Sequence, residues 1–100
     1  MLDGAKEAMA FAARRTRADL DHDRLLLLAL VKSIEIIGEA ASQVTEATRA
    51  RIPTIPWPAI VAMRHRLVHA YFDVDPDRVW DTVADDLPPL VAALDEVLGT

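Results

Sequence analysis

The sequence predicts a single all-α domain, a bundle of four to five helices that spans residues 1–100. Hydrophobic residues make up 52% of the chain but aromatic residues only 5%, so Ala, Leu, Val and Ile dominate the core. With three glycines, this composition favours helices over sheets, and no segment shows a convincing strand pattern. One hundred residues allow one domain with a modest core.

The first two helices are predicted over about Asp3–Arg17 and Asp23–Thr45, with a polar turn at Asp19–Asp23 between them. The first is rich in alanine, a strong helix former. In the second, polar side chains form one narrow stripe on the helical wheel, with Ser33 as the main exception. Such a helix is buried on several sides, so we expect it at the centre of the fold, at a subunit interface, or both.

Prolines divide the rest of the chain. Residues 47–58 contain three prolines and are predicted as a break, and Pro58 suits the first turn of a third helix that runs to about Phe72. Asp75 followed by Pro76 is typical of the start of a fourth helix. Pro88 and Pro89 interrupt its apolar pattern, so the residues up to Leu98 form either a kinked continuation or a fifth helix.

Charge and composition limit the functional classes. The net charge is −5, but residues 73–100 carry −7 and residues 25–72 carry +2, which permits RNA binding without arguing strongly for it. The absence of cysteine excludes disulfides and thiolate metal sites. No signal peptide is evident, and the longest apolar run, Leu25–Val31, is too short for a bilayer. We therefore expect a soluble cytoplasmic protein without membrane contact.

The third predicted helix carries the candidate functional residues. On its helical wheel Arg64 lies in the middle of the apolar half, whereas His65, Arg66 and His69 lie on the other side. A charge at the centre of an apolar face is costly unless it is paired or faces a cleft. Arginine binds phosphate oxygens in a forked geometry, and histidine transfers protons near neutral pH. Together with Tyr71, these residues suggest chemistry on a phosphodiester.

Less specific interpretations remain open for the same residues. Arg64 could be a structural arginine paired with Glu35 or Glu39 of the second helix, and Glu39 is a candidate for the acid that orients its guanidinium. His65 and His69 share a face, with Asp73 one turn further on, a spacing that could hold zinc. This metal-site interpretation is weak, because no cysteine and only one further histidine are present.

A small basic cluster precedes the second helix. It consists of Arg14, Arg15 and Arg17. Most such clusters are ordinary surface, but here the cluster could supply a secondary phosphate contact.

Taken together, these residues resemble the HepT-like toxins of the HEPN superfamily. Arg64, His69 and Tyr71 follow an Arg-x4-His-x-Tyr pattern on a late helix of an all-helical chain. The resemblance covers nearly the whole chain through four further segments: Ile37–Ala41, Trp57, Met63–Asp75, and Trp80 with Asp86–Pro88. The chain departs from the family at His65, where asparagine is often found.

The resemblance implies a metal-independent endoribonuclease toxin that needs no cofactor and acts as a homodimer, with both motifs facing one cleft. Arg64 and His69 would be the catalytic pair, while His65, Arg66 and Tyr71 would help to hold the RNA. It also implies a minimal nucleotidyltransferase antitoxin, which can attach AMP to Tyr71. The alternative is a non-catalytic helical module that binds a nucleotide or a partner and dimerises through its second helix.

Overall fold

The fold is built around one long helix, α3 (Arg24–Ser42), in a computed structural model that describes residues 1–63, 68–70 and 73–98. The Asp23 carboxylate accepts the N–H of Leu26 at 3.0 Å, which satisfies one of the free donors of the first turn. Four helices pack on α3: α1 (Leu2–Ala12), α2 (Asp19–His22), α5 (Trp57–Ala62) and α6 (Pro76–Asp81). The prediction that this helix lies at the centre of the fold is confirmed.

Helix α1 ends earlier than the sequence predicts. It stops at Ala12 rather than near Arg17. Arg14 has a φ of 62°, in the left-handed region that a right-handed helix excludes. Beyond this residue, Arg15 and Arg17 form ion pairs with carboxylates of α2 and its surroundings. The pairs that are local in sequence, which join Arg15 to Asp19 and Asp23 and Arg17 to Asp21, favour a turn followed by one helical turn, α2, over a continuous helix.

A short helix, α4 (Glu46–Arg51), occupies part of the predicted break at residues 47–58. Thr45 begins it, and its hydroxyl oxygen accepts the N–H of Thr48 at 3.2 Å. The three prolines all follow α4, so they do not prevent it. The prediction of a break was wrong over residues 47–51 because the capping threonine was overlooked.

Arg49 of α4 joins the end of α3 to the start of α5. Its guanidinium donates to the carbonyl oxygens of Ala41 at 2.8 Å and Val44 at 3.1 Å. The Ala41 carbonyl also accepts the N–H of Val44 at 3.2 Å. The same group lies 5.7 Å from the centre of the Trp57 ring. The Trp57 indole N–H in turn donates to the Ile52 carbonyl at 3.1 Å. Arg49 thus connects the C-terminal end of α3 with the first residue of α5.

The third predicted helix is much shorter than expected. Helix α5 ends at Ala62, and residues 68–70 form strand β1 (Val68–Ala70), which pairs antiparallel with β2 (Asp73–Val74). The prediction of a helix to Phe72 was therefore wrong at residues 68–70. Helical spacing over so few turns does not exclude a strand, and the paired Val68 and Val74 are β-branched residues that favour strands.

The C-terminal helix is continuous, which decides between the two predicted alternatives. Asp75 caps α6, and its carboxylate accepts the N–H groups of Asp77 and Arg78. The helix then widens into a π segment (Thr82–Asp86) and continues as α7 (Leu87–Leu98). Within it, Leu87 N–H bonds to the Thr82 carbonyl, five residues back. Pro88 and Pro89 have no N–H, and in a regular α-helix their rings would clash with the carbonyls of residues 84 and 85. Both of those residues lie in the wider π segment.

The all-α fold class is confirmed, with the small hairpin as the one addition among the described residues. The core centres on α3, and its largest fully buried side chains come from α3, α6, α7 and the residue that follows α5: Leu30, Ile34, Ile37, Met63, Val79 and Leu87. One face of α3 is exposed although the helix is largely apolar, as Leu25, Leu28 and Ile36 show. None of the described helices combines the length and hydropathy needed to cross a membrane.

Candidate active site

Helix α5 packs against α3 at Gly38, just before the motif. A Cβ atom at this position would stand 3.5 Å from the carbonyl oxygens of both Ile60 and Val61. Met63, the residue after α5, is fully buried. The chain is therefore held firmly against α3 as far as the residue that precedes Arg64.

The motif itself is only partly within the described structure. Arg64, His65, Arg66 and Tyr71 lie outside the described residues, and their predicted roles stay predictions. The backbone of His69 belongs to β1. The helical-wheel relation between Arg64 and His69 therefore does not apply, because the two residues do not share one continuous helix.

His69 occupies an irregular position in the hairpin. Val68 pairs with Val74 and Ala70 pairs with Asp73. The two paired residues of β2 are consecutive, whereas those of β1 have His69 between them. His69 is the extra residue of a β-bulge. Bulges interrupt the ladder locally and are over-represented beside active sites, where they re-aim a side chain. The bulge is a backbone feature that the sequence did not predict.

The carboxylates predicted to orient Arg64 lie on the exposed side of α3. They border a shallow groove of about 460 Å³ lined by Lys32, Glu35, Ile36, Glu39, Ala40 and Gln43. Glu39 is exposed, and its Oε1 accepts from Gln43 Nε2 at 3.4 Å. Because Arg64 lies outside the described residues, its pairing with Glu35 or Glu39 stays a prediction.

Two of the three arginines in the basic cluster, Arg15 and Arg17, form ion pairs. Arg15 contacts Asp19 and Asp23 at 3.3 and 2.8 Å, and Arg17 bridges α2 and α6 through Asp21 and Asp77. These contacts favour a structural role for both arginines over a phosphate contact.

The carboxylates that pair with Arg15 are stabilised in their ionised form. The N–H of Thr16 is the main cause that lowers the pKa of Asp19 below its ordinary value. The N–H of Leu26 is the main cause of the same effect on the pKa of Asp23. Arg15 lowers the pKa of both groups further. Hydrogen bonds to the charged form thus stabilise both ion pairs.

A metal site is not found within the described part of the chain. No group of three or more His, Cys, Asp or Glu residues there lies close enough to hold an ion. His65 falls outside that part, so the zinc alternative with His69 and Asp73 stays a prediction.

A second groove, of about 280 Å³, lies between α5 and the C-terminal helix. Met63 lines it, as do Asp85 and Asp86 of the π segment. Sequence reasoning missed these two carboxylates as candidate site residues. The signal available was the Pro88-Pro89 pair, which removes two helical N–H donors just after an acidic pair and thus predicts an irregular turn there.

Comparison with known proteins agrees with the predicted family and fold class. The family model described as ribonuclease HepT-like matches residues 1–97. A candidate RNase of Caldanaerobacter subterraneus subsp. tengcongensis is 36% identical over 80 residues, which cover 80% of this chain and 71% of the relative. A candidate RNase of Methanocaldococcus jannaschii is 28% identical over 90 residues, 90% and 83% of the two chains. A protein of Thermococcus cleftensis named as a candidate ribonuclease HepT is 40% identical over 68 residues, 68% and 62% of the two chains. No solved structure matches the chain significantly.

Proposed function

Because this chain belongs to the HepT-like ribonuclease family, we propose that it is the toxin of a toxin–antitoxin pair and cleaves RNA without a metal ion. The observation that carries the proposal is the run Arg64-x4-His69-x-Tyr71 in a chain that matches the family model over residues 1–97. Two structural features support it: the close packing of α5 on Gly38, and the β-bulge at His69.

The residues suit cleavage by the RNA's own 2′-hydroxyl. That oxygen attacks the phosphorus, the bond to the 5′-oxygen breaks, and the products are a 2′,3′-cyclic phosphate and a 5′-hydroxyl. One proton leaves the 2′-oxygen and one reaches the 5′-oxygen, and His69 serves this transfer. Arg64 stabilises the extra negative charge around phosphorus, an effect worth about 3–4 kcal/mol for preorganised donors. His65, Arg66 and Tyr71 help to hold the backbone.

The test uses purified protein and single-stranded RNA in excess chelator. We expect cyclic-phosphate ends from the wild type, and a loss of at least about a hundredfold in rate for Arg64→Lys and His69→Gln. The matched controls are Arg51→Lys and His22→Gln, two exposed sites away from the motif. Full cleavage by both motif variants would refute the assignment. Cleavage that stops in chelator would favour the metal-dependent alternative.

The proposed antitoxin is a minimal nucleotidyltransferase that attaches AMP to Tyr71. The adduct would bring bulk and negative charge to a site that binds phosphate, which blocks RNA by occlusion and repulsion. Co-expression with the neighbouring gene followed by intact mass should show one or more added AMP units on the wild type. Tyr71→Phe should show none. Modification that persists in this variant would place it on another residue.

The exposed face of α3 supports a homodimer. Leu25, Leu28 and Ile36 are 81%, 44% and 49% exposed, unusual values for large apolar side chains on one helix. The same face favours the alternative of a non-catalytic dimerisation module. Tight partner binding with no RNA cleavage at any pH or metal concentration would support that alternative, whereas His69-dependent cleavage would exclude it.

A further inference from the structure

The groove between α5 and the C-terminal helix is apolar and of limited size. It encloses about 280 Å³ between the segment Thr54–Met63 and residues 85–93. Its buried lining consists of Ile55, Ile60, Met63 and Leu90. Exposed Pro56, Ala59 and Pro89 continue the apolar lining outward. A compact cavity of this kind accommodates one flat group, whereas a docked helix needs a long row of apolar anchor sites.

Two acceptors stand at this apolar surface. Asp85 and Asp86 are both exposed and both line the groove. Asp86 belongs to one helical face with Pro89, Leu90 and Ala93, at the spacing i, i+3, i+4, i+7. Asp85 joins that face because it lies in the wider π segment, a feature that is frequent at functional sites.

Carboxylates discriminate among flat aromatic ligands by their donors. An ionised carboxylate only accepts hydrogen bonds and can accept two in parallel. Guanine presents N1–H and N2–H₂ side by side, cytosine and adenine each present one amino group, and uracil presents one imino N–H. The donor pattern therefore ranks guanine first and uracil last.

The position of the groove links it to the proposed chemistry. Met63 is fully buried, lines the groove, and directly precedes Arg64 in the chain. Base and phosphate of a nucleotide are separated by one sugar. A base held in this groove would thus have an adjoining phosphate one sugar away, near the residue that precedes Arg64 in the chain.

We propose that this groove binds a base of single-stranded RNA beside the scissile phosphate, with guanine preferred through Asp85 and Asp86. The inference rests on the proposed ribonuclease function and adds a base preference to it. The apolar lining covers the faces of the base, and the carboxylates accept from its donor edge. The same negative charges keep the RNA backbone away from the rim, so a base rather than a phosphate enters.

The first test sequences the cleavage sites in RNA of random sequence. The wild type should cut beside guanine about tenfold more often than beside uracil, in the range expected of a bidentate contact. The double variant Asp85→Asn/Asp86→Asn should lose this preference, because each amide replaces an acceptor oxygen with a donor. Asp81→Asn, on the same helix but outside the groove lining, should keep the wild-type pattern.

A second test fills the groove and measures binding directly. Ala59→Phe should abolish the preference, while Ala92→Phe, exposed on α7 and outside the lining, should not. In the wild type, guanosine monophosphate should shift the NMR signal of the Met63 methyl group more than uridine monophosphate does, and Ala59→Phe should remove that difference.

Three outcomes would overturn the inference. They are His69-dependent cleavage without base preference, a preference that survives both the double variant and Ala59→Phe, and variants that weaken only the binding of a protein partner. A chain that cuts no RNA would refute the proposed function instead. The nucleotide titration would still decide whether the groove binds guanine.

Discussion

Replacing Gly38 tests how closely α5 approaches α3. A Cβ atom there would meet two α5 carbonyl oxygens at 3.5 Å, an ordinary van der Waals distance. Gly38→Ala therefore fits without movement, and it removes the intrinsic cost of glycine in a helix interior, about 0.8–1.0 kcal/mol. We expect the free energy of unfolding to rise by up to about 1 kcal/mol, or roughly 4–8 °C in Tm for a domain of this size.

Larger side chains should have the opposite effect at this position. Gly38→Val adds two methyl groups where the α5 carbonyls already stand in contact distance, so we expect a loss of about 1–3 kcal/mol from overpacking. Gly4→Ala is an internal comparison, because its Cβ would lie only 3.2 Å from Cγ1 of the fully buried Ile37. Since Ile37 must shift, Gly4→Ala should stabilise less than Gly38→Ala.

The assay is urea unfolding monitored by circular dichroism, with RNA cleavage measured on the same protein preparations. If Gly38→Ala lowered the free energy of unfolding by 1 kcal/mol or more, and Gly38→Val lowered it by no more than that, the described approach of α5 to α3 would be wrong. If Gly38→Val unfolded normally but cleaved poorly, displacement of α5 and the motif would be the cause.

Three further predictions concern other parts of the structure. Arg49→Ala should lower the free energy of unfolding by about 2 kcal/mol, because it leaves the Ala41 and Val44 carbonyls without their charged donor. Arg51→Ala is the control in urea unfolding. Equal losses in the two variants would refute the capping role of Arg49. Asp23→Asn should make the free energy of unfolding less dependent on pH at acidic pH. The pKa of Asp23 is lowered in the folded state, so its contribution is present at neutral pH and is lost as the pH falls below about 4; an unchanged curve would contradict this. Ile36→Glu on the exposed face of α3 should convert the proposed dimer into a monomer in sedimentation equilibrium, and an unaltered dimer would place the interface elsewhere.

The sequence predicted the helical class and the central helix because their signals are strong and local. The apolar wheel of α3 and the capping residue Asp75 have their expected structural roles. Its failures arise where contacts distant in sequence, or backbone irregularities, decide the outcome. Arg17 pairs with Asp77, sixty residues away, and no local pattern reveals this pair.

For the candidate site, the sequence identified the residue types but not their arrangement. The motif was assigned to one helix because its apolar spacing fits 3.6 residues per turn. The structure instead ends α5 at Ala62 and places His69 in a β-bulge. Bulges depend on how two strands register against each other, which the sequence of one strand does not specify. The groove at Asp85 and Asp86 was missed for the same reason, since it forms only when α5 meets the π segment.

The packing of α1 against α7 has a consequence for synthesis on the ribosome. Lys6 contacts Asp95 at 3.3 Å, so the two partners are separated by most of the chain. Helix α1 meets α3 early in translation, but its remaining apolar surface waits until α7 has left the exit tunnel. Contacts between such distant segments form slowly, and unpaired apolar surface is prone to aggregation. The core of this domain is therefore complete only after α7 has emerged from the exit tunnel.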